Sequence, residues 1–186
     1  MARTAEARAA YEKATELDAT YQDAHYNLAL LLQGQNDTKN AEAHFRSAAT
    51  GPAPMPEAWA QLANLQETEN RLDEAAQSAA SGLALAPDNP LLLLVQAKLL
   101  RRGKQPAEAL ARLAPLSGMR LPTQLAVGYH HEMGLLHDML GQTEQAFEQF
   151  SRANQAQLDN PAAKSLDPAN YLSAIAALAD SSLGQT

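Results

Sequence analysis

Small and apolar residues recur along this chain at a fixed step of 34 residues, with a single step of 37. The clearest series is a column of alanines at Ala7, Ala41, Ala75, Ala109 and Ala146. Three more columns keep the same register: Ala29, Ala63, Ala97 and Gly134; Tyr11, Phe45, Ala79, Leu113 and Phe150; and His25, Trp59, Leu93 and His130. A period of this length indicates stacked supersecondary units, because one unit cannot bury its own apolar face.

Each period contains two stretches with the one-face spacing of an amphipathic helix. Asparagine or glycine separates the two stretches, at Asn36, Asn70, Gly103 and Gly141. The small residues let two antiparallel helices approach closely, and bulky side chains such as Phe45 fill the space one turn further on. The pattern therefore predicts a single all-α domain over residues 1–186. It comprises a lone helix (4–20), four helix pairs (22–55, 56–89, 90–123 and 127–160) and a C-terminal capping helix (167–183).

The third pair is expected to be the least regular. Pro115 ends its second helix early, because proline removes a helix hydrogen bond and clashes with the preceding turn. Gly118 and Pro122 follow, so we expect an irregular loop between Ala114 and Pro122, where the three extra residues also lie. The N-terminal helix lacks the first helix of its own repeat. We therefore expect that the chain begins inside a longer array, and the alternative is that this helix is a natural N-terminal cap.

Composition narrows the function classes. The 14 basic and 21 acidic residues give a formal charge of -7 without any lysine or arginine run, so nucleic acid is not an expected partner. The absence of cysteine excludes disulfides, thiolate metal sites and cysteine nucleophiles. The longest apolar run, Leu91 to Val95, is too short to cross a bilayer, and the N-terminus has no signal-peptide core. We therefore expect no membrane partner and favour a cytoplasmic location.

The repeating unit resembles the tetratricopeptide repeat (TPR). The resemblance rests on Trp59, Leu62, Ala63, Ala75, Gly82 and Pro87, and again on Met133, Gly134, Gly141, Ala146, Phe150 and Ala153. It covers residues 4–158 and implies a TPR solenoid, that is, a right-handed superhelix of antiparallel helix pairs. The structural positions of the repeat are then Ala29, Trp59, Ala63, Ala75, Ala97, Ala109, Gly134, Gly141, Ala146 and Phe150. The resemblance also implies a protein–protein interaction scaffold, because most TPR arrays bind peptides or protein surfaces in a concave groove lined by the first helices.

The last repeat carries a narrower resemblance. Residues 134–141 and 146–154 are similar to the final repeat of bacterial TPR–sulfotransferase proteins, in which the array precedes the catalytic domain. This similarity implies, as an alternative function, an N-terminal accessory or recruitment domain of such an enzyme. A structural assembly factor is a third alternative. Nothing after Gly141 offers the glycine-containing loop that a sulfonate donor needs, so the chain itself is not expected to be an enzyme.

Groove positions follow from the helix spacing, which places residues three and four apart on one face. The candidate peptide-binding residues are Asn27, Asn64, Leu91, Leu94, Lys98, Arg101, Arg102 and His131. Tyr26, Leu30 and Gln61 occupy neighbouring groove positions. In this hypothesis Leu91 and Leu94 are apolar anchors, Asn64 pairs with a peptide backbone, and the cations attract an acidic group. The alternative for each residue is a solvated helix surface or packing onto a neighbouring helix.

Three histidines raise the question of a metal site, since His130 and His137 lie seven residues apart on one helical face, next to His131. His130 shares the column of Trp59, which favours packing inside the helix pair. No second histidine completes a zinc-protease helix after His131, and no serine has the glycine context of a nucleophile elbow. We therefore expect no metal, no cofactor and no catalytic residue. The expected partner is a protein or peptide, and a homo-oligomer is left open.

Overall fold

The described part of the chain is helical apart from short turns. A computed structural model describes residues 2–53 and 55–159, which form nine α-helices and one 3-10 turn without a β-strand. The α-helices are α1 (Ala2–Leu17), α2 (Gln22–Gly34), α3 (Thr38–Thr50), α4 (Pro56–Thr68), α5 (Leu72–Leu85), α6 (Pro90–Arg102), α7 (Pro106–Leu113), α8 (Thr123–Met139) and α9 (Thr143–Leu158). The predicted all-α fold is confirmed, whereas the predicted capping helix at 167–183 lies outside the described residues. Among the residues described, none of the helices has both the length and the apolar character needed to cross a membrane.

The helices belong to two compact units. In the first unit, which ends at Met119, α2 packs on α3, α4 on α5 and α6 on α7. Successive pairs of this unit meet through the contacts of α3 with α4, α5 with α6, and α4 with α6, and α1 packs on α2. In the second unit, which begins at Arg120, α8 packs on α9. Because short turns join the helices of each pair, the two helices run antiparallel.

Small residues bring the helices of a pair close together. From α2 onwards, the alanines of the repeat columns are buried: Ala29, Ala41, Ala63, Ala75, Ala97 and Ala109 are 0% exposed, and Ala146 is 4% exposed. At Gly134 there is no room even for a methyl group, since a Cβ there would lie 2.5 Å from Cε1 of Phe150. In the first unit, the fully buried ring of Phe45 packs with Leu28 and Leu62, and the half-buried Trp59 packs against this cluster. These contacts join α2, α3 and α4 into one close-packed core.

The same turn joins the two helices in all four described pairs. Its left-handed residue has a φ of 60° at Asn36, 62° at Asn70, 59° at Lys104 and 71° at Gly141. The next N–H donates to a carbonyl five residues back, as from Asp37 to Leu32 at 2.9 Å, which is the Schellman arrangement that ends a helix. We predicted Gly103 as the turn residue of the third pair. Gly103 does lie in this turn, with a φ of -75°, and the left-handed residue is its neighbour Lys104.

The second helix of the third pair is short. Helix α7 ends at Leu113 after eight residues, and a 3-10 turn (Ala114–Leu116) follows. Pro115 lies inside this turn and cannot donate a helix hydrogen bond, which accounts for the early end. The chain then stays non-helical until Thr123 starts α8.

A histidine pair joins α2 to α3. The Nδ1 atoms of His25 and His44 lie 2.8 Å apart, and Nε2 of His25 lies 3.1 Å from the carbonyl oxygen of Ala19. Since a carbonyl only accepts, a neutral His25 donates from Nε2, and its Nδ1 then accepts a hydrogen bond from Nδ1–H of His44. The same register positions of the second unit are joined by His130 and Gln149, at 2.8 Å. A polar link across the helix pair thus recurs with different residues.

Candidate peptide-binding surface

Equivalent positions on three successive first helices define the candidate surface. Leu30 on α2, Asn64 on α4 and Lys98 on α6 follow one another at steps of 34 residues, all within the first unit. Leu30 is 37% exposed, and Asn64 and Lys98 are half-buried. We call these three residues, together with Tyr26 and Gln61, the first-helix strip. It offers an apolar, an amide and a cationic side chain in sequence.

Local signals set where α4 and α6 begin. Pro56 and Pro90 occupy the first turn of their helices, where a missing N–H needs no partner. At α6, the side chain of Asn89 also accepts hydrogen bonds from the backbone N–H groups of Leu91 at 3.1 Å and Leu92 at 3.2 Å. This N-cap satisfies two of the donors that a helix start leaves unpaired. The starting point then determines which side chains of α6 face α4.

At the α2–α4 end of the strip, the structure brings together Tyr26, Gln61 and Glu57. Burial raises the pKa of the Tyr26 hydroxyl above its ordinary value; a hydrogen bond from Gln61 opposes this rise, and the charge of Glu57 adds to it. The ring of Tyr26 also packs on Phe45, with 5.9 Å between the ring centroids. Tyr26 therefore keeps its proton at neutral pH and ties the strip to the core.

The two candidate asparagines differ in their hydrogen bonding. Asn27 is half-buried, and its Nδ2 donates to the carbonyl oxygen of Asp23 at 2.8 Å, one turn earlier in α2. Asn64 is also half-buried, but its amide has no hydrogen-bond partner among the residues that the structure describes. An amide carries both donors and acceptors, so Asn64 is equipped to pair with the N–H and C=O groups of a peptide backbone.

The two leucines predicted as exposed anchors differ in accessibility. The prediction is wrong for Leu94, which is only 3% exposed. The four consecutive residues 92–95 are at most 5% exposed, and four residues span more than one helical turn, so α6 is covered around its circumference there. Leu91 is half-buried and packs beside the cluster that contains Ala60 and Ala63. Leu91 is therefore the leucine of the original pair that still offers apolar surface.

The predicted basic cluster is partly neutralised inside the first unit. Nζ of Lys98 lies 3.3 Å from Oε2 of Glu67, and Nε of Arg102 donates to Oε1 of the same carboxylate at 2.9 Å. Arg102 donates further, from Nη1 to Oδ1 of Asn70 at 3.0 Å. Glu67 is 3% exposed, and Arg101 is half-buried. Two cations share one carboxylate, so this end of the strip keeps a positive balance, although it is less basic than the sequence alone implied.

Glu67 is the residue of this region that sequence reasoning missed. A buried carboxylate is costly unless it is paired and hydrogen-bonded, and here Lys98 and Arg102 of the next helix supply both. A signal for this was present in the sequence, since Glu67 precedes the two cations by 31 and 35 residues, close to the repeat length. Opposite charges one repeat apart on adjacent first helices are expected to meet.

The histidines of the second unit form pairwise contacts. His131 is exposed, and its ring meets Phe150 edge-on with 5.7 Å between centroids. His130 contacts Gln149, and His137 contacts Gln142 at 2.6 Å. Within residues 2–53 and 55–159, no three histidine or carboxylate side chains are grouped so as to hold a metal ion.

Comparison with known proteins identifies the repeat. Residues 1–21, which contain α1, and residues 22–50, which contain α2 and α3, match the family model of the tetratricopeptide repeat. A search among curated proteins finds no match. Residues 1–50 thus match the tetratricopeptide repeat that the sequence was predicted to contain, whereas the resemblance of the last repeat to TPR–sulfotransferase proteins stays a prediction.

Solved structures share the fold at low sequence identity. YrrB, described as a TPR protein with an unusual peptide-binding site, is 20% identical with a TM-score of 0.61, covering 88% of this chain and 84% of that chain. MamA from Desulfovibrio magneticus RS-1 is 12% identical with a TM-score of 0.62, covering 85% and 88%. The APC/C hetero-tetramer Cut9–Hcn1 is 15% identical with a TM-score of 0.74, covering 85% of this chain and 31% of that chain. The predicted TPR solenoid fold is thus confirmed.

Proposed function

We propose that this protein is a protein–protein interaction scaffold whose first-helix strip binds a peptide or an extended segment of a partner protein. The observation that carries the proposal is the amide of Asn64, which is half-buried and unpartnered among the described residues. Leu30 stands one repeat before it and Lys98 one repeat after it. An amide between an apolar and a cationic side chain suits a peptide that is held by its backbone and selected by its side chains.

Two further points support the proposal. YrrB, which shares this fold, is described as having a peptide-binding site, so the architecture accommodates that function. The charge around the strip also changes from acidic at one end to basic at the other. Asp23 and Glu57 are exposed near the first turns of α2 and α4, whereas Lys98 and Arg102 outnumber their shared carboxylate Glu67 near the end of α6. A peptide with basic and acidic ends would therefore be held in one direction.

The test is a peptide-display selection on the full chain, followed by calorimetry with the selected peptide. Asn64→Ala should weaken binding by roughly five- to 150-fold, because two hydrogen bonds of roughly 0.5 to 1.5 kcal/mol each are lost and about 1.4 kcal/mol corresponds to tenfold in affinity. Leu30→Asp should weaken it at least as much, by placing a charge at the apolar contact. Gln77→Ala is the matched control, since it also truncates an amide, on an exposed position of the second helix α5.

Affinity that survives both strip variants but falls with Gln77→Ala would place the binding surface on the second helices and overturn the proposal. Circular dichroism of each variant shows whether the fold is intact. Salt dependence gives a second readout, because electrostatic guidance by the charges at the two ends should weaken as ionic strength rises.

A further inference from the structure

One register column of the first-helix strip runs across three adjacent helices. Leu30, Asn64 and Lys98 occupy equivalent positions of α2, α4 and α6, at steps of 34 residues. Side chains of α2 and α4 share one core cluster, and α4 contacts α6 directly. Packed helix axes lie about 8 to 10 Å apart, so the line from Leu30 to Lys98 crosses the helices and spans about 16 to 20 Å.

This span matches the geometry of an extended polypeptide. A β-strand rises about 3.3 Å per residue and a polyproline II helix about 3.1 Å, so six residues cover about 19 to 20 Å in either conformation. Side chains face the same way every two residues in a strand and every three in a polyproline II helix. Six is a multiple of both periods, whereas five and seven are multiples of neither. Two side chains six positions apart therefore face the strip together and reach from Leu30 to Lys98.

The two ends of the column differ in chemistry. Leu30 is 37% exposed and offers an apolar contact. At the other end, one carboxylate, that of Glu67, lies 3.3 Å from Nζ of Lys98 and 2.8 Å from Nη2 of Arg102. Two cations on one carboxylate leave a positive charge in excess, and the side chain of Lys98 is 20% exposed. An acidic group of a ligand would complement that charge.

We propose that the strip selects peptides in which an apolar residue and an acidic residue stand six positions apart. This inference rests on the proposed peptide-binding function and names the class of peptide. The apolar side chain lies against Leu30, and the carboxylate meets Lys98. The residue halfway between them presents its backbone N–H and C=O to the amide of Asn64. Its side chain is therefore not selected, except that proline, which has no N–H, is disfavoured.

The test is fluorescence polarisation on the full chain with a panel of labelled synthetic peptides. Each peptide carries one leucine and one glutamate in a background of serine and threonine. The glutamate stands four to eight positions after the leucine in one series and before it in the other. In the series with the preferred chain direction, spacings of five and seven should bind roughly fivefold more weakly than six, because one of the two anchors turns away from the strip. Proline at the halfway position should also weaken binding.

Two variants and a control assign the two ends. Lys98→Met should abolish the preference for glutamate over glutamine at a spacing of six, while Arg102 remains to pair with Glu67. Leu30→Lys should replace the preference for leucine at the other end by a preference for glutamate. Lys39→Met is the matched control, since it removes a lysine at an exposed position of the second helix α3, and it should change nothing.

The inference is overturned if no peptide of the panel binds, if spacings of five, six and seven bind equally, or if the preference for glutamate survives Lys98→Met. These outcomes differ from a failure of the proposed function, which the unbiased display selection judges. Selected peptides that depend on Asn64 but lack the spacing of six would overturn this inference alone. Selected peptides that bind independently of Asn64 and Leu30 would overturn both.

Discussion

The substitution Gly134→Ala tests whether close helix contact sets the stability of the second unit. A Cβ at this position would lie 2.5, 2.6 and 2.8 Å from Cε1, Cδ1 and Cζ of Phe150. Ordinary carbon contacts lie at about 3.5 to 4.0 Å, so the ring would have to move by roughly 1 Å. His131 packs against the same ring, which limits that movement. Overpacking of this kind costs about 1 to 3 kcal/mol.

The same substitution also removes the entropic disadvantage of glycine in a helix, which is worth up to about 1 kcal/mol. Gly34→Ala, at the end of α2, is the matched control, because nothing lies within 4 Å of a Cβ built there. Both variants replace glycine by the better helix former alanine. The difference in their free energies of unfolding therefore reports the steric overlap with Phe150. We expect Gly134→Ala to be about 1 to 3 kcal/mol less stable than Gly34→Ala.

Thermal melts followed by circular dichroism provide the measurement. In a chain of this size, 1 kcal/mol corresponds to about 2 to 4 °C in Tm, so the two variants should differ by roughly 2 to 12 °C. Phe150→Leu removes the ring edge, and Gly134→Ala should therefore cost less in that background than in the parent. Equal Tm values for Gly134→Ala and Gly34→Ala would show that the ring yields freely, and the argument from close contact would fail.

Two other predictions concern single side chains. Lys104→Gly should stabilise the chain by up to about 1 kcal/mol in urea unfolding, because position 104 has a φ of 59° that glycine adopts without strain; a loss of stability would contradict the left-handed turn. Burial lowers the pKa of His44 below its ordinary 6.5, and the charge of His25 lowers this pKa further. The charge of Glu12 opposes both effects. Between the lowered pKa and 6.5 the unfolded chain binds more protons, so the contribution of His44 to stability is present above pH 6.5 and is lost as the pH falls towards the lowered value. His44→Gln reproduces the histidine–glutamine contact of the second unit. This variant should lose less stability than the parent between neutral and mildly acidic pH. Parallel curves of stability against pH for the two proteins would contradict the role of His44.

Much of the candidate surface could be located from the sequence, but its accessibility could not. The 34-residue step identifies which side chains of α2, α4 and α6 are equivalent, and it places Leu30, Asn64 and Lys98 in one series. Whether such a residue is open depends on what covers it, and covering groups come from other helices. Leu94 is buried for that reason, and Lys98 is drawn to the carboxylate of Glu67.

By itself, the sequence determined the class of fold. Small and bulky residues recur at the length of a helix-pair repeat, and each pair can bury its apolar face only against a neighbouring copy. Only the tertiary structure decided how individual positions are used. In the turn of the third pair, Lys104 and not Gly103 adopts the left-handed conformation. The backbone hydrogen bonds that end the helix require this conformation at that position, whichever residue occupies it. In the same way, Ala79 is an ordinary small residue in the sequence, and only the structure places it beside Gln96 of the next helix in the lining of one pocket.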